Sequence, residues 1–250
     1  MHHNRGILNL LRIGSIKVDE MNPILTEQDV RNSKFLQALS MDERSLLIHN
    51  SRLIKMSSKS IIYNYDESFK AVYIVLSGSV KLGLTTSSGN TIIKEMAYEG
   101  DVFGENVFVA QGKRKEFAKC FDGGKVLEIK LEFFKHIVQN NPVFANLITE
   151  TIIERLQNLQ VRMEAFANKS AKQRIVEFIK NSARIRGIKI GINECLINHG
   201  MSHKEIAFLT DTSRQTVARI LGELKKTDII HFGARKPGKI LIRDRQWIAA

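Results

Sequence analysis

From Val143 to Ala167 the chain runs without a glycine or a proline, and Ile152, Leu156, Leu159, Met163 and Phe166 recur along it at steps of four, three, four and three. Such a segment reads as one long helix: both helix-breaking residue types are missing, and apolar side chains return at the helical period. Pro142 stands where a first turn tolerates the missing N–H, and Asn168-Lys169-Ser170 interrupts the pattern at the far end. The narrow stepping is that of a coiled-coil seam, so the helix is expected to pair with a second copy of itself. Packing on its own domain is the alternative, and a helix that does so usually carries a wider apolar stripe. The helix divides the chain into two stretches of different texture.

Upstream of it, from about Leu53 to Ile129, short β-branched and aromatic runs alternate with turn residues. Ile61-Ile62-Tyr63, Ala71 to Leu76, Ser79 to Leu82 and Thr91 to Lys94 read as strands. Ser77-Gly78, Thr86 to Asn90 and Glu99-Gly100-Asp101 read as the turns between them. Phe117 to Cys120 and Lys125 to Ile129 read as closing strands, and the whole as an antiparallel barrel or roll. Phe35, Leu36, Leu39, Leu46, Leu47 and Ile48 have short-helix spacing ahead of it, and Leu131 to Val138 forms a short helix after it. We divide the chain into an N-terminal extension over 1–21, a roll domain over 22–142, the long helix and hinge over 143–168, and a C-terminal domain over 169–250.

Composition narrows the setting. Hydrophobic residues make up 43% of the 250, which is ample for a packed core and argues against disorder. The longest apolar runs, such as Ile7 to Leu11, fall far short of the roughly 20 residues a membrane helix needs, and no signal-peptide pattern opens the chain. A cytoplasmic protein with no membrane partner is expected. Cys120 and Cys195 are too few for a disulfide framework or a four-cysteine metal centre. His49, His136, His199, His203 and His231 are scattered singly, and His2 and His3 read as a tail, so neither a metal site nor a cofactor is expected. No catalytic Ser-His-Asp set, paired carboxylates or phosphate-cradling glycine loop stands in credible context, which argues against an enzyme.

Charge separates the two ends. From Lys169 onward 17 Lys and Arg face 7 Asp and Glu, so that segment holds +10 of the chain's +12. A basic excess confined to one folded segment suggests a polyanionic partner. Within that segment, Ala171 to Ala183 is amphipathic and Ile185 to Leu196 reads as a small hairpin. Ser202 and Glu205 then form a capping box for a short helix, Thr210-Asp211-Thr212 makes a tight connection, and Ser213 caps a second helix from Arg214 to Lys226. Two short helices joined this way have a helix-turn-helix layout, or are an ordinary helical hairpin with surface arginines.

Arg214, Gln215 and Arg219 lie on the leading face of the second helix. Arginine pairs bidentately with guanine, and glutamine with adenine, so these groups suit base reading on double-stranded DNA. The hydroxyls of Ser202, Ser213 and Thr216, with Lys204, suit phosphates. Ile229 to Phe232 and Lys239 to Ile242 flank a basic tip that includes Arg235 and Lys236. This reads as a wing whose Lys236 touches flanking phosphate, or as a solvated turn.

Taken with Val75-Leu76-Ser77-Gly78-Ser79-Val80-Lys81-Leu82, Glu99 to Glu105 and Ser213 to Leu221, this order of elements resembles the Crp–Fnr family of bacterial transcription regulators over residues 30 to 245. The resemblance implies an α+β chain: an N-terminal antiparallel β-roll (a cyclic-nucleotide-binding-like jelly roll), a long dimerisation helix and a C-terminal winged helix-turn-helix. It implies a homodimer on a pseudo-palindromic operator, RNA polymerase as a partner, and base contacts from Arg214, Gln215 and Arg219.

Family members that bind cyclic AMP hold its phosphate with an Arg-Ser pair after Gly-Glu. Here Gly104-Glu105 is kept, but Glu116-Phe117 stands in the Arg-Ser place; Lys115 takes the arginine role only if the segment slides by one residue. A carboxylate beside a cyclic phosphate repels it, and lysine lacks the guanidinium fork. The adenine-contacting hydroxyl pair of such members falls here on Leu159 and Gln160. Cyclic AMP is therefore not expected; the alternative is an effector-dependent regulator whose roll binds a cyclic nucleotide or another acidic small molecule, the effector being unidentified. Glu105, Arg114, Lys115 and Leu159 are the candidate effector residues. Glu105 alternatively pairs with Lys113, Arg114 or Lys115, and these three basic residues alternatively line an exposed loop.

Overall fold

The computed structural model describes residues 17–18, 25–86, 91–108, 112–190, 192–198, 200–232 and 238–249. The chain divides into two compact units, Met1–Thr151 and Ile152–Ala250, with the boundary inside the long helix.

The first unit begins with β1 (Lys17–Val18), α1 (Glu27–Arg31), α2 (Lys34–Gln37) and α3 (Met41–His49). Strand β1, within the segment read as an extension, pairs with β2 (Ser51–Met56). Each short helix starts at a side-chain cap, Thr26, Ser33 or Ser40, whose oxygen accepts an otherwise orphaned N–H. Next come β3 (Ile61–Tyr63), β4 (Ala71–Thr85), β5 (Thr91–Tyr98), β6 (Val102–Phe103), a 3-10 turn (Glu105–Phe108), β7 (Phe117–Lys130), α4 (Leu131–Asn140) and α5 (Pro142–Asn168). The antiparallel sheet runs β1-β2-β7-β4-β5, with β3 added on β7 and β6 on β4.

Two strand breaks expected from sequence are bulges inside continuous strands. Ser77-Gly78 lies within β4, and the gap before Lys125 lies within β7. Gly78 has φ +82°, and a Cβ there would sit 1.9 Å from the Gly123 carbonyl oxygen; one at Gly124 would sit 2.0 Å from that of Ser77. The strands cross too closely for side chains, and the register shifts between Gly78 and Val80 without ending the pairing.

The run Ala71 to Leu76 is apolar throughout because both faces of β4 are covered. Val72, Ile74 and Leu76 join Phe35, Leu36, Phe134 and Phe144 in a core built with the helices. Ala71, Tyr73 and Val75 point the other way, into the roll, beside Tyr63, Phe103 and Cys120.

The second unit holds the rest of α5, then α6 (Ala171–Arg186), β8 (Ile188–Ile190), β9 (Glu194–Asn198), α7 (His203–Leu209), α8 (Arg214–Lys226), β10 (Ile230–Phe232), β11 (Lys239–Ile242) and α9 (Gln246–Ala249). Its sheet is antiparallel in the order β10-β11-β9-β8. Ile175, Ile179, Ile197, Ile206, Val217, Ile220, Leu221, Ile230, Ile240 and Ile242 form its buried core.

Candidate nucleic-acid interface and roll interior

Helices α7 and α8 pack through Ile206, Ala207, Val217, Ile220 and Leu221, all buried. That places the opposite face of α8 in solvent, where Arg214, Gln215, Ala218 and Arg219 are exposed. The face is polar and cationic and takes no part in packing α7 on α8. Its start is set by Ser213, whose Oγ accepts the Thr216 N–H at 3.0 Å and lies 2.9 Å from Thr216 Oγ1. Ser202 caps α7 reciprocally: its Oγ accepts from the Glu205 N–H, and the Glu205 carboxylate accepts from the Ser202 N–H at 2.8 Å. Both serine hydroxyls are thus engaged as caps. Lys204 is exposed, with its ammonium 5.9 Å from the Phe208 ring centre. The basic tip between β10 and β11, with Arg235 and Lys236, lies outside the described residues.

The sequence patterns above pass over Glu223, which shapes this face. Its carboxylate takes the Arg219 guanidinium one turn away and lies 3.5 Å from Lys172 Nζ. Partial burial would raise the Glu223 carboxyl, but the Arg219 hydrogen bond and charge, followed by those of Lys172, bring it below its ordinary range. Arg219 is therefore ion-paired at rest. The signal is present in the chain, since an Arg and a Glu four apart on a helix are neighbours.

The interior of the roll is polar where the sequence left alternatives open. Arg114, in a basic triplet that reads as either an exposed loop or an anion-facing one, is 1% exposed. Its guanidinium donates to the Ala71 carbonyl at 2.5 Å and the Gly104 carbonyl at 3.3 Å, and lies 3.8 Å from the Tyr63 ring centre and 4.9 Å from that of Phe69. Gly104, at φ +82°, leaves it room: a Cβ there would come within 2.7 Å of Arg114 Nη1.

Glu116 is also buried, accepting from Tyr63 Oη at 2.9 Å and Lys94 Nζ at 2.5 Å. Burial, reinforced by the Glu116 charge, pushes the Tyr63 hydroxyl well above its ordinary range; burial does the same to Tyr73. Lys113 pairs with Asp66 at 2.7 Å, not with Glu105, and Lys115 is exposed. Glu105 heads the 3-10 turn with its Oε2 shielded from solvent.

Of the candidate effector residues, the structure therefore brings Arg114 against the carbonyl that precedes Glu105 and leaves Lys115 on the surface. Leu159 belongs to the second unit, on the exposed seam of α5. Among the described residues no cluster of His, Cys, Asp and Glu could hold a metal, and no helix is long and apolar enough to cross a membrane.

Comparison with known proteins gives the two units separate and consistent assignments. Residues 53–141 match the cyclic nucleotide-binding domain family, and residues 173–250 match the Crp-like helix-turn-helix domain family. The chain is 24% identical over 216 residues to the Cyclic AMP receptor protein of Thermus thermophilus, covering 86% of this chain and 94% of that protein. It is 27% identical over 183 residues to the Global nitrogen regulator of a Synechocystis strain, covering 72% and 80%. In fold it is similar to the solved structure of FixK2 from Bradyrhizobium japonicum, with a TM-score of 0.66 at 22% identity over 80% of this chain and 96% of that one. The two domain families are matched in this order along one chain, with relatives aligned across both, and the chain belongs to the Crp–Fnr family of DNA-binding transcription regulators.

Proposed function

We propose that the protein reads a pseudo-palindromic operator as a homodimer and acts from there on RNA polymerase, in the cytoplasm and without catalytic activity of its own. Arg214, Gln215 and Arg219 contact base edges; Lys204, Thr216 and the wing residue Lys236, with the capping hydroxyls of Ser202 and Ser213, hold phosphates. One observation carries this reading: α8 buries Val217, Ile220, Leu221 and Leu224 and leaves a contiguous Arg-Gln-Arg face with no packing role. The pairing rests on α5, where Ile152, Leu156, Leu159, Met163 and Phe166 are each 49–72% exposed at heptad spacing. A stripe of that kind in water is stabilised by closing against its own copy.

The roll does this without cyclic AMP. A carboxylate, Glu116, already stands in the interior and accepts from Tyr63 and from Lys94, and the Arg114 guanidinium is committed to main-chain carbonyls. An anionic phosphate entering there would meet a like charge and no unengaged fork.

Selection of bound fragments from a random DNA pool tests the reading. Enrichment of two inverted half-sites with centres one helical turn, about 34 Å, apart supports it. A single half-site, or no enriched sequence, overturns it. Calorimetry with cyclic AMP and cyclic GMP tests the roll separately, and micromolar binding of either overturns the second statement.

A further inference from the structure

The turn between α7 and α8 is held by two arginines from outside the helix-turn-helix. Asp211, in the middle of the turn, has φ +50°, a left-handed conformation that aspartate tolerates better than most residues and glycine tolerates best. Its carboxylate takes a two-pronged contact from Arg162 on α5, with Nε to Oδ2 and Nη2 to Oδ1 both at 2.7 Å. Arg162 also donates to the Phe208 carbonyl in the last turn of α7.

Arg174 on α6 completes the grip. It donates to the carbonyls of Thr210 and Asp211, each at 2.8 Å, and to that of Lys169 at 2.6 Å, while its guanidinium lies 5.1 Å from the Phe166 ring centre. The carbonyls that the end of α7 leaves without helical partners are thus satisfied by groups on or beside α5.

None of this is needed to pack α7 on α8, which their buried apolar residues accomplish. The Arg162 and Asp211 side chains are only 29% and 30% exposed, so water competes weakly for their contact. Arg162 directly precedes the seam residue Met163, on the flank of the exposed stripe, and so can face its own chain while Met163 faces a second copy.

We propose that Arg162 and Asp211 form a latch that fixes the reading helix to the pairing helix, and thereby sets the distance between the two reading helices of a dimer. Arg162 is then a positioning residue for DNA binding that touches no DNA. This rests on the dimeric, DNA-reading proposal above, and the tests are chosen to fail separately from it.

The first test needs neither DNA nor a dimer. Spin labels on Glu164→Cys and Lys225→Cys, exposed positions of α5 and α8, report the distance between these helices within one chain. Adding Asp211→Gly removes the carboxylate without straining the turn, and Arg162→Ala removes its partner. A narrow distance distribution in the parent that broadens in both variants supports the latch. An unchanged width overturns it.

The second test uses the full-length chain on the selected operator, on the same operator with one base pair inserted at its centre, and on a single half-site. Asp211→Gly and Arg162→Ala are each expected to lose about tenfold on the native spacing, as for a charge-assisted contact. The double variant is expected to lose no more than either single one, half-site binding to stay unchanged, and discrimination against the inserted base pair to shrink. Retained spacing discrimination overturns the latch, as does an equal loss on half-site and full site, which would mark the pair as a support of the helix-turn-helix alone. A parent chain indifferent to spacing overturns the dimeric reading instead, and the distance measurement still judges the latch.

Discussion

Arg114→Met should unfold the roll selectively. The substitution keeps an unbranched side chain of similar reach and removes only the guanidinium. It strips the buried carbonyls of Ala71 and Gly104 of their donor, at about 1–3 kcal/mol for each orphaned group. It also removes a cation from above the Tyr63 and Phe69 rings, worth about 2 kcal/mol where the pair is desolvated. Against these stands the relief of no longer burying a charge, several kcal/mol in the other direction. The two orphaned carbonyls and the lost cation outweigh that relief, and the net expectation is a loss of about 3 kcal/mol.

At roughly 2–4 °C per kcal/mol for a unit of this size, the roll should melt about 10 °C earlier. The chain carries its own reporters. All four tyrosines, Tyr63, Tyr65, Tyr73 and Tyr98, lie in the first unit, and the single tryptophan, Trp247, lies in the second. Thermal unfolding followed by tyrosine near-ultraviolet dichroism should shift, while the Trp247 fluorescence transition should not. A tyrosine transition within about 2 °C of the parent would mean that the desolvation relief cancels the lost contacts, and would refute this account of Arg114. Arg114→Lys should fall between, since an ammonium keeps the charge without the fork.

Three further outcomes are expected. Arg214→Ala should cost about 1–3 kcal/mol of operator binding and relax preference at one base position, and uniform weakening across operator variants would reassign it to a phosphate. Lys236→Ala should lower the slope of log affinity against log salt by about one, and an unchanged slope removes the wing from the contacts. The hydroxyls of Tyr63 and Tyr73, raised first of all by burial, should stay protonated in the native chain through the range near 10 where free tyrosine ionises. Because their folded values lie above the unfolded one, the stability they lend is complete below about pH 10 and is lost as pH rises further. Phenolate absorbance of the native chain near pH 10 should then lack the contributions of Tyr63 and Tyr73 until unfolding, and their titration ahead of unfolding would contradict the buried placement.

Elements whose cause lies within one or two turns of chain are legible in the sequence alone. The long helix follows from the absence of breakers and the stepping of Ile152 to Phe166. The start of α7 follows from Ser202 and Glu205, and that of α8 from Ser213, because a cap is a contact between residues three apart. The exposed Arg-Gln-Arg face follows from the period of Val217, Ile220 and Leu221.

Glycines mislead for a local reason. A positive φ serves a turn and a bulge equally, and only the neighbouring strand distinguishes them. At Gly78 that neighbour is Gly123 and Gly124, more than forty residues away.

The chain by itself thus determined which segments are helix or strand, which faces are apolar, and where its positive charge lies. Tertiary structure decided which polar groups those faces enclose. Arg114 sits in a run of charge that looks solvated, and it is buried because Tyr63, Phe69 and Tyr73 arrive around it from other parts of the roll. Asp211 looks like a turn residue, and it becomes an anchor because Arg162 comes to it from 49 positions away. Periodicity and capping are written in neighbouring residues, whereas the environment of a charge depends on whichever distant side chains the fold brings beside it.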